Sequence, residues 1–285
     1  MSGASAADDP SGDERAGDRA GEAKRQARPR GFPPLAAVRQ RNTHRLIPAR
    51  FAGESVLTRI ADDDAHLQAL FELEQATNDR RLGEQHLLPG IGVDELVFGV
   101  PYHQIVNAAF CHAHPLGSRF NGPERGAWYA AFEVATAKAE VAFHKTVELA
   151  EVKWWEETVT YVDFVADVGA DLHDLRPPAG RGFEACLAPQ SYEASQKLAR
   201  DLLAAGSQGI VYPSVRRAGG TCIACFRPAI VQYVRRARRY EFRWNGRPQP
   251  VIRAGAGPCP PRPPGPRWAP RTPPPPARRP PPPRA

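Results

Sequence analysis

Residues 118 to 144 hold three side chains that could share one chemical task. The segment reads SRFNGPERGAWYAAFEVATAKAEVAFH and presents the guanidinium of Arg119, the phenol of Tyr129 and the carboxylate of Glu140 in that order. A guanidinium can hold phosphate or carboxylate oxygens through two parallel hydrogen bonds. A carboxylate can stabilise positive charge that develops in a reacting group. These residue types are therefore candidates for binding and catalysis.

The carboxylate of Glu140 is predicted to point away from open water. A helix over about Val134 to Leu149 places Lys138 and Lys145 within about 20 degrees of each other, and we expect them to mark its solvent side. Glu140 then points about 160 degrees from Lys138, toward an apolar or concave region. An inward carboxylate needs a partner or a task. A salt bridge to Arg119 is the structural alternative.

Two more polar residues of this segment are candidates for the same site. Asn121 and Gly122 suit a tight turn, so Arg119 sits just before a bend that can present its side chain outward. His144 follows Glu140 by four residues and could share its proton chemistry, or it could be a packing residue.

The pair Cys222 and Cys225 forms a C-x-x-C that could bind metal or cycle its redox state. It lies in GGTCIACFRPAIV, which alternates like a strand and places the two thiols on opposite faces. No second pair completes a zinc site. We therefore predict buried small apolar residues and no metal.

Composition bounds the remaining possibilities. The 285 residues are 42% apolar, which is enough for a packed core. Seven of the arginines lie in residues 251 to 285, and residues 1 to 250 carry 31 basic and 31 acidic side chains. The net charge of +7 thus comes from residues 251 to 285. Because the rest of the chain is neutral, we do not expect a specific nucleic-acid interface on the folded part. Five cysteines and no long apolar run predict a reduced, cytoplasmic protein without a membrane segment.

The element pattern predicts one α/β or α+β domain over residues 41–248. Residues 1–40 are expected to form a disordered N-terminal tail, and residues 249–285 a Pro/Arg-rich disordered tail. The predicted elements are helices from Asp62 and from Gln190 to Gly206, and strands at 127–132, 158–168, GIVYP and TCIACF.

Taken together, these motifs resemble the RES domain family, over roughly residues 42 to 235. The strongest pieces are R-F-N with Tyr129 and Glu140 at offsets of 10 and 21 from Arg119, and G-I-V-Y-P-S-V-R, which contains Ser214. Arg45 in THRLIPARF looks like the family's early arginine. By this resemblance Arg119, Tyr129 and Glu140 are the catalytic candidates.

The resemblance implies an enzyme that degrades NAD+ on a compact fold similar to ADP-ribosyltransferase toxins. Arg45, Asn121 and Ser214 would bind the NAD+ substrate, and phosphate or water would accept the ADP-ribosyl group. NAD+ would be consumed rather than serve as a cofactor, with inorganic phosphate as a possible co-substrate and no metal. Many members are toxins of type II toxin–antitoxin pairs, so an Xre-like antitoxin is an expected partner, while the oligomeric state stays open.

Two departures and two alternatives accompany this resemblance. Ser118 stands where the family has a glycine, and the segment between Ile60 and Gly117 is longer than in compact members. We expect that segment to supply an extra strand and helix near the pocket, as a lid or as scaffold. A mono-ADP-ribosyltransferase acting on a protein, or a catalytically weak binding module, would fit the same residues.

Overall fold

A computed structural model describes residues 31–52 and 90–255 of the chain. This part is a mixed α/β fold, which confirms the predicted class. Its strands are β1 (Leu35–Pro48), β2 (Trp128–Ala131), β3 (Glu156–Asp174), β4 (Gly209–Pro213), β5 (Thr221–Cys225), β6 (Val231–Asn245) and β7 (Val251–Ala254). Its α-helices are α1 (His103–Cys111), α2 (Val134–Glu151) and α3 (Glu193–Ala204). Short 3-10 helices lie at Ala49–Phe51, Val93–Glu95, Glu184–Leu187 and Pro228–Ile230.

The seven strands form one sheet in the order β1-β2-β5-β4-β3-β6-β7. β1 also pairs with β3, so β1, β2, β5, β4 and β3 form a closed circuit of hydrogen-bonded neighbours. Only the short pairing of β3 with β4 is parallel among these strands. The long strand β3 therefore contacts three partners and is the centre of the sheet.

The two faces of the strands are covered by different elements. Alternate residues of β2 point into different clusters: Trp128 lies in the first hydrophobic cluster and Ala131 in the second. Val106 and Phe110 bring helix α1 to the first cluster. Helices α2 and α3 cover the second, and their buried residues there are Ala137, Leu149, Leu198, Ala199 and Leu202.

Most predicted elements with a regular apolar period are confirmed. The helix expected over 134–149 is α2, the strand at 127–132 is β2, and the helix from Gln190 is α3. Gly206 follows α3 with a φ of 81°, the left-handed conformation expected of a glycine at a helix C-terminus. Alternate residues of β3 face different clusters, since Tyr161 packs in the second and Phe164 in the first.

The predicted domain boundaries are too narrow at both ends. β1 begins at Leu35, six residues before residue 41, and β7 lies beyond residue 248. Both strands are held mainly by backbone pairing at these ends, and Val38 is the one buried side chain from Leu35 to Gln40. Apolar side chains alone therefore did not reveal them. Strands β1, β6 and β7 were absent from the predicted order.

The expectation for the long segment before Gly117 is half right. Its described part, from Gly90, contains helix α1 but no strand. α1 packs on the first cluster, whereas α2, which carries Glu140, covers the second. The described residues before Gly117 therefore serve as scaffold and do not form a lid over Glu140. The helix predicted from Asp62 and the two predicted tails, apart from residues 31–40 and 249–255, lie outside the described residues.

Within residues 31–52 and 90–255, the helices are all too short or too polar to cross a membrane.

Candidate functional site

Helix α2 carries Glu140 on one flank of its contact with the sheet. Ala137 and Val141 pack against the second cluster, and at about 100 degrees per residue Lys138 and Glu140 lie about 80 degrees to either side of that direction. The prediction that Lys138 marks the solvent side is therefore wrong. Its ammonium lies over the Tyr240 ring, 3.8 Å from the centroid.

Glu140 is held by the residue that follows strand β4. The Ser214 hydroxyl donates a 2.6 Å hydrogen bond to Oε1 of Glu140. The same hydroxyl oxygen accepts the backbone N–H groups of Arg216, at 3.2 Å, and Arg217, at 3.0 Å. Since a hydroxyl has one proton and two lone pairs, Ser214 has no further hydrogen bond to offer while it holds the carboxylate. Its position is thus suited to orienting Glu140.

A buried thiol lies beside the same carboxylate. Sγ of Cys222 is 3.8 Å from Oε1 of Glu140, and desolvation together with Glu140 raises the pKa of that thiol. Burial also raises the pKa of Cys225, which belongs to the other cluster. The two cysteines are free thiols on opposite faces of β5, as predicted. The described residues contain no group of three or more His, Cys, Asp or Glu side chains arranged to hold a metal ion.

Arg119 does not pair with Glu140. Its Nη1 donates to the carbonyl oxygens of Cys186, at 3.2 Å, and Ala188, at 2.9 Å, and its guanidinium lies over the Tyr192 ring. No cationic group of the described residues forms an ion pair with Glu140. The structural alternative in which Arg119 neutralises Glu140 is therefore wrong. Arg119 is buried, 7% exposed, and fixes the segment that leads into α3.

Tyr129 and Asn121 close the turn that carries Arg119. The Tyr129 hydroxyl donates to Oδ1 of Asn121 at 2.8 Å and accepts the backbone N–H of Phe120 at 2.8 Å. Nδ2 of Asn121 donates to the carbonyls of Gly122 and Arg125. Burial raises the pKa of Tyr129, so the phenol stays neutral at any physiological pH. These two residues support the site by fixing its loop.

Arg45 lies apart from the other candidates. Its guanidinium is over the Trp128 ring, 4.9 Å from the centroid, and its Nη1 donates to the backbone carbonyl of Tyr129 at 3.0 Å. Trp128 belongs to the first cluster, whereas the Tyr129 ring packs against the second. Burial lowers the pKa of Arg45 to about 10. The structure thus brings Glu140 and Ser214 into contact but places Arg45 on the opposite face of β2.

Arg216 and Phe143 also belong to this site, although neither was predicted as a site residue. The guanidinium of Arg216 lies 3.3 Å from the centroid of the Phe143 ring, and its Nη2 donates to the carbonyl of Pro189 at 2.8 Å. The available signal was position: Phe143 follows Glu140 by nearly one helical turn, and Arg216 follows Ser214 by two residues. Both therefore border the carboxylate.

His144 lies next to this group with part of its ring exposed. Desolvation by the surrounding protein lowers the pKa of His144; Glu140 opposes that shift, while Arg216 and Arg119 reinforce it. The imidazole is therefore neutral at neutral pH. The site combines a held carboxylate, a neutral imidazole and a stacked guanidinium on one flank of α2.

A known protein family matches the part of the chain that carries this site. The RES domain family model matches residues 96–245, more than half of the chain. Among solved structures, the chain is similar to the M. tuberculosis MbcT-MbcA toxin-antitoxin complex, at 16% identity and a TM-score of 0.35. That likeness covers 47% of this chain and 74% of the other. No curated protein sequence matches the chain.

Proposed function

The chain belongs to the RES domain family, and from this premise we propose that it degrades NAD+ by cleaving the bond between nicotinamide and ribose. The observation that carries the proposal is the Glu140 carboxylate, which Ser214 holds at 2.6 Å and which no cation of the described residues neutralises. Such a carboxylate keeps its negative charge available for a cationic reaction centre. This arrangement supports a reaction whose transition state carries positive charge.

Cleavage of NAD+ has that character. The bond from C1′ of the ribose to the nicotinamide nitrogen breaks, and nicotinamide leaves with the bonding electrons as a neutral molecule. The ribose passes through an oxocarbenium-like state whose positive charge a neighbouring carboxylate stabilises. An oxygen of the acceptor then bonds to C1′. If the acceptor is phosphate the product is a phosphorylated ADP-ribose, and if it is water the product is ADP-ribose with loss of one proton.

The residues have distinct roles in this proposal. Glu140 stabilises the developing charge, and Ser214 orients Glu140. Arg119 positions the segment from Cys186 to Tyr192, whose Pro189 carbonyl contacts Arg216. Tyr129 and Asn121 hold the turn from which Arg119 projects. Arg45 supports β2 from behind through its contact with the Tyr129 carbonyl. The catalytic carboxylate is thereby fixed by non-reacting groups before substrate arrives.

Membership of the RES family also supports the proposal that this protein is the toxin of a toxin–antitoxin pair. In that case an antitoxin, of the Xre-like type that the resemblance implies, would bind the chain. The test is whether expression of this chain stops cell growth and whether the Glu140→Gln variant does not. Growth arrest by both proteins equally would contradict a toxic effect through NAD+ loss.

The central experiment is incubation of the purified protein with NAD+, with and without phosphate, followed by product analysis. We expect nicotinamide release in both cases, and acceleration by phosphate with a phosphorylated product if phosphate is the acceptor. A rate indifferent to phosphate with plain ADP-ribose as product assigns hydrolysis. ADP-ribose attached to an added protein would instead assign a mono-ADP-ribosyltransferase. No loss of NAD+ under any condition would contradict the proposal.

A further inference from the structure

Arg119, whose guanidinium could hold phosphate oxygens, is engaged in other contacts. Nη1 of Arg119 donates to two backbone carbonyls, those of Cys186 and Ala188, and the face of its guanidinium lies on Tyr192. Binding phosphate through Nη1 would break the contacts that fix this segment. A second cation near Glu140 is therefore the stronger candidate for a phosphate ligand.

Arg216 is held in one orientation from three directions. Its backbone N–H donates to Ser214, its guanidinium stacks on Phe143, and Nη2 donates to the Pro189 carbonyl. These contacts fix a side chain that would otherwise sample many rotamers. A cation fixed before binding loses less conformational entropy when a ligand arrives.

The charge and most donors of Arg216 are unused. A guanidinium has five N–H donors, and its Nε is buried without a hydrogen-bond partner among the described residues. No carboxylate of those residues forms an ion pair with it. A buried N–H group without a partner is uncommon in native structures and calls for a ligand or water. The unsatisfied donor belongs to a cation that borders the carboxylate site.

We propose that Arg216 forms an anion subsite beside Glu140 and binds the phosphate oxygens of the dinucleotide. This inference rests on the proposed function and names the part of the site that recognises the diphosphate. In NAD+ the reacting ribose carbon and the first phosphate belong to one nucleotide, so their ligands must be neighbours. Ser214 brings Glu140 and Arg216 together, because its hydroxyl contacts both the carboxylate of Glu140 and the backbone N–H of Arg216.

His144 lies beside the same subsite, since its ring is 5.5 Å from the Phe143 ring on which Arg216 stacks. A neutral imidazole adds a hydrogen-bond donor at the edge of the subsite without a second positive charge beside Arg216. The subsite would therefore recognise phosphate mainly through one fixed guanidinium. We expect recognition to depend on the fork geometry of arginine as well as on its charge, so lysine should replace it poorly.

The test compares two substrates that share the scissile bond but differ in phosphate. NAD+ contains the diphosphate, whereas nicotinamide riboside contains none. We expect Arg216→Ala to raise KM for NAD+ about 10- to 100-fold and to leave kcat/KM for nicotinamide riboside within about twofold of the wild-type value. In Arg216→Lys, the rise in log KM for NAD+ should remain more than half of the rise in Arg216→Ala.

The neighbouring arginine provides a matched control. Arg217→Ala removes the same side chain one residue later, but Nη1 of Arg217 contacts Thr136 at 3.1 Å and lies 3.9 Å from Glu133. We expect it to leave KM for NAD+ unchanged. Equal losses with both substrates in Arg216→Ala, or a KM effect as large in Arg217→Ala, would overturn the assignment.

Two further measurements keep the inference separate from folding and from the proposed function. Arg216→Gln keeps a polar side chain without the charge, and it serves if Arg216→Ala does not fold. Calorimetric binding of ADP-ribose requires no turnover. Loss of that binding in Arg216→Gln but not in Arg217→Ala supports the subsite even if NAD+ is not cleaved, and unchanged binding in both overturns it. Absence of turnover by the wild type contradicts only the proposed function.

Discussion

Ser214 and Glu140 lie 74 residues apart in the sequence and are joined by a 2.6 Å hydrogen bond from the serine hydroxyl to Oε1 of the carboxylate. This bond links helix α2 to the loop between β4 and β5. The position of the carboxylate therefore depends on that loop. Substitutions that disturb either α2 or the loop should alter the same constant, kcat.

Replacing Glu140 by glutamine tests the carboxylate directly. Glu140→Gln keeps the size of the side chain and removes its charge. We expect kcat for NAD+ to fall by about 10² to 10³, the effect of losing one preorganised electrostatic contact, while substrate binding changes less. Because no cation of the described residues pairs with Glu140, the melting temperature should change little.

The control for this variant is on the same helix. Glu148→Gln alters a carboxylate that pairs with Lys145 near the end of α2. It should retain full turnover. A folded Glu140→Gln protein with near-normal kcat would remove Glu140 from the mechanism.

Replacing Ser214 by alanine tests whether the serine acts through Glu140. We expect kcat to fall about 10- to 100-fold with KM nearly unchanged, because a hydrogen bond to a charged group contributes about 1.5 to 3 kcal/mol. In the double variant with Glu140→Gln, the serine change should have little additional effect. A fully additive double variant would show that Ser214 acts independently of Glu140.

The Glu95 cluster makes the fold sensitive to acid. Arg125 donates to both carboxylate oxygens of Glu95, and Arg227 donates to Oε2. The hydrogen bond from Arg125 is the main reason that the pKa of Glu95 falls from 4.5 to about 2. A lowered carboxylate pKa stabilises the folded state above pH 4.5, and this contribution is lost as the pH falls through about 2.

The expected size of that contribution is about 1 to 3 kcal/mol, because the Glu95 side chain is 21% exposed and solvent screens part of the interaction. Melting temperatures measured from pH 7 to pH 2 should fall most steeply below pH 4.5 in the wild type. Glu95→Gln should be less stable at neutral pH and show a weaker fall on acidification. Glu193→Gln, at an exposed position, should follow the wild-type curve, and an unchanged curve for Glu95→Gln would contradict the assignment.

Two truncations distinguish β7 from the residues beyond it. A protein that ends at Gly255 retains every candidate site residue and all of β7, so turnover and melting temperature should match the full chain. A protein that ends at Pro250 loses β7, including Ile252, which packs against the second cluster. We expect it to be destabilised by about 1 to 2 kcal/mol through the lost burial. Equal melting temperatures for the two truncations would show that β7 adds no stability.

The elements predicted correctly are those whose pattern is local. Helix α2 and strand β3 repeat their apolar residues at one fixed period, and that period is visible in a short window. β6 was missed because five arginines occupy VQYVRRARRYEFRWN and because its pairing with β3 shifts register twice, which breaks the alternation. Its strand character comes from pairing with β3.

The sequence indicated candidate residues for the site but not the contacts that each of them makes. Glu140 was expected to point inward, but it lies half-buried on one flank of α2, where its carboxylate reaches the loop after β4. The sequence gives no means of knowing that Arg119 holds two distant carbonyls or that Arg45 lies behind β2. These contacts join segments that only the folded sheet brings together, as the 67 residues between Arg119 and Cys186 illustrate.

The pairing of β1 with β3 bears on how the protein is made. Thr43 bonds to Ala166 across 123 residues, and β3 also needs β6, which ends at Asn245. Folding dominated by such distant pairings is slow and cannot finish before the last strand is available. During synthesis the carboxylate on α2 emerges from the ribosome well before Ser214 and the strands that hold it. A nascent chain should therefore lack the assembled site until almost the whole domain has been translated.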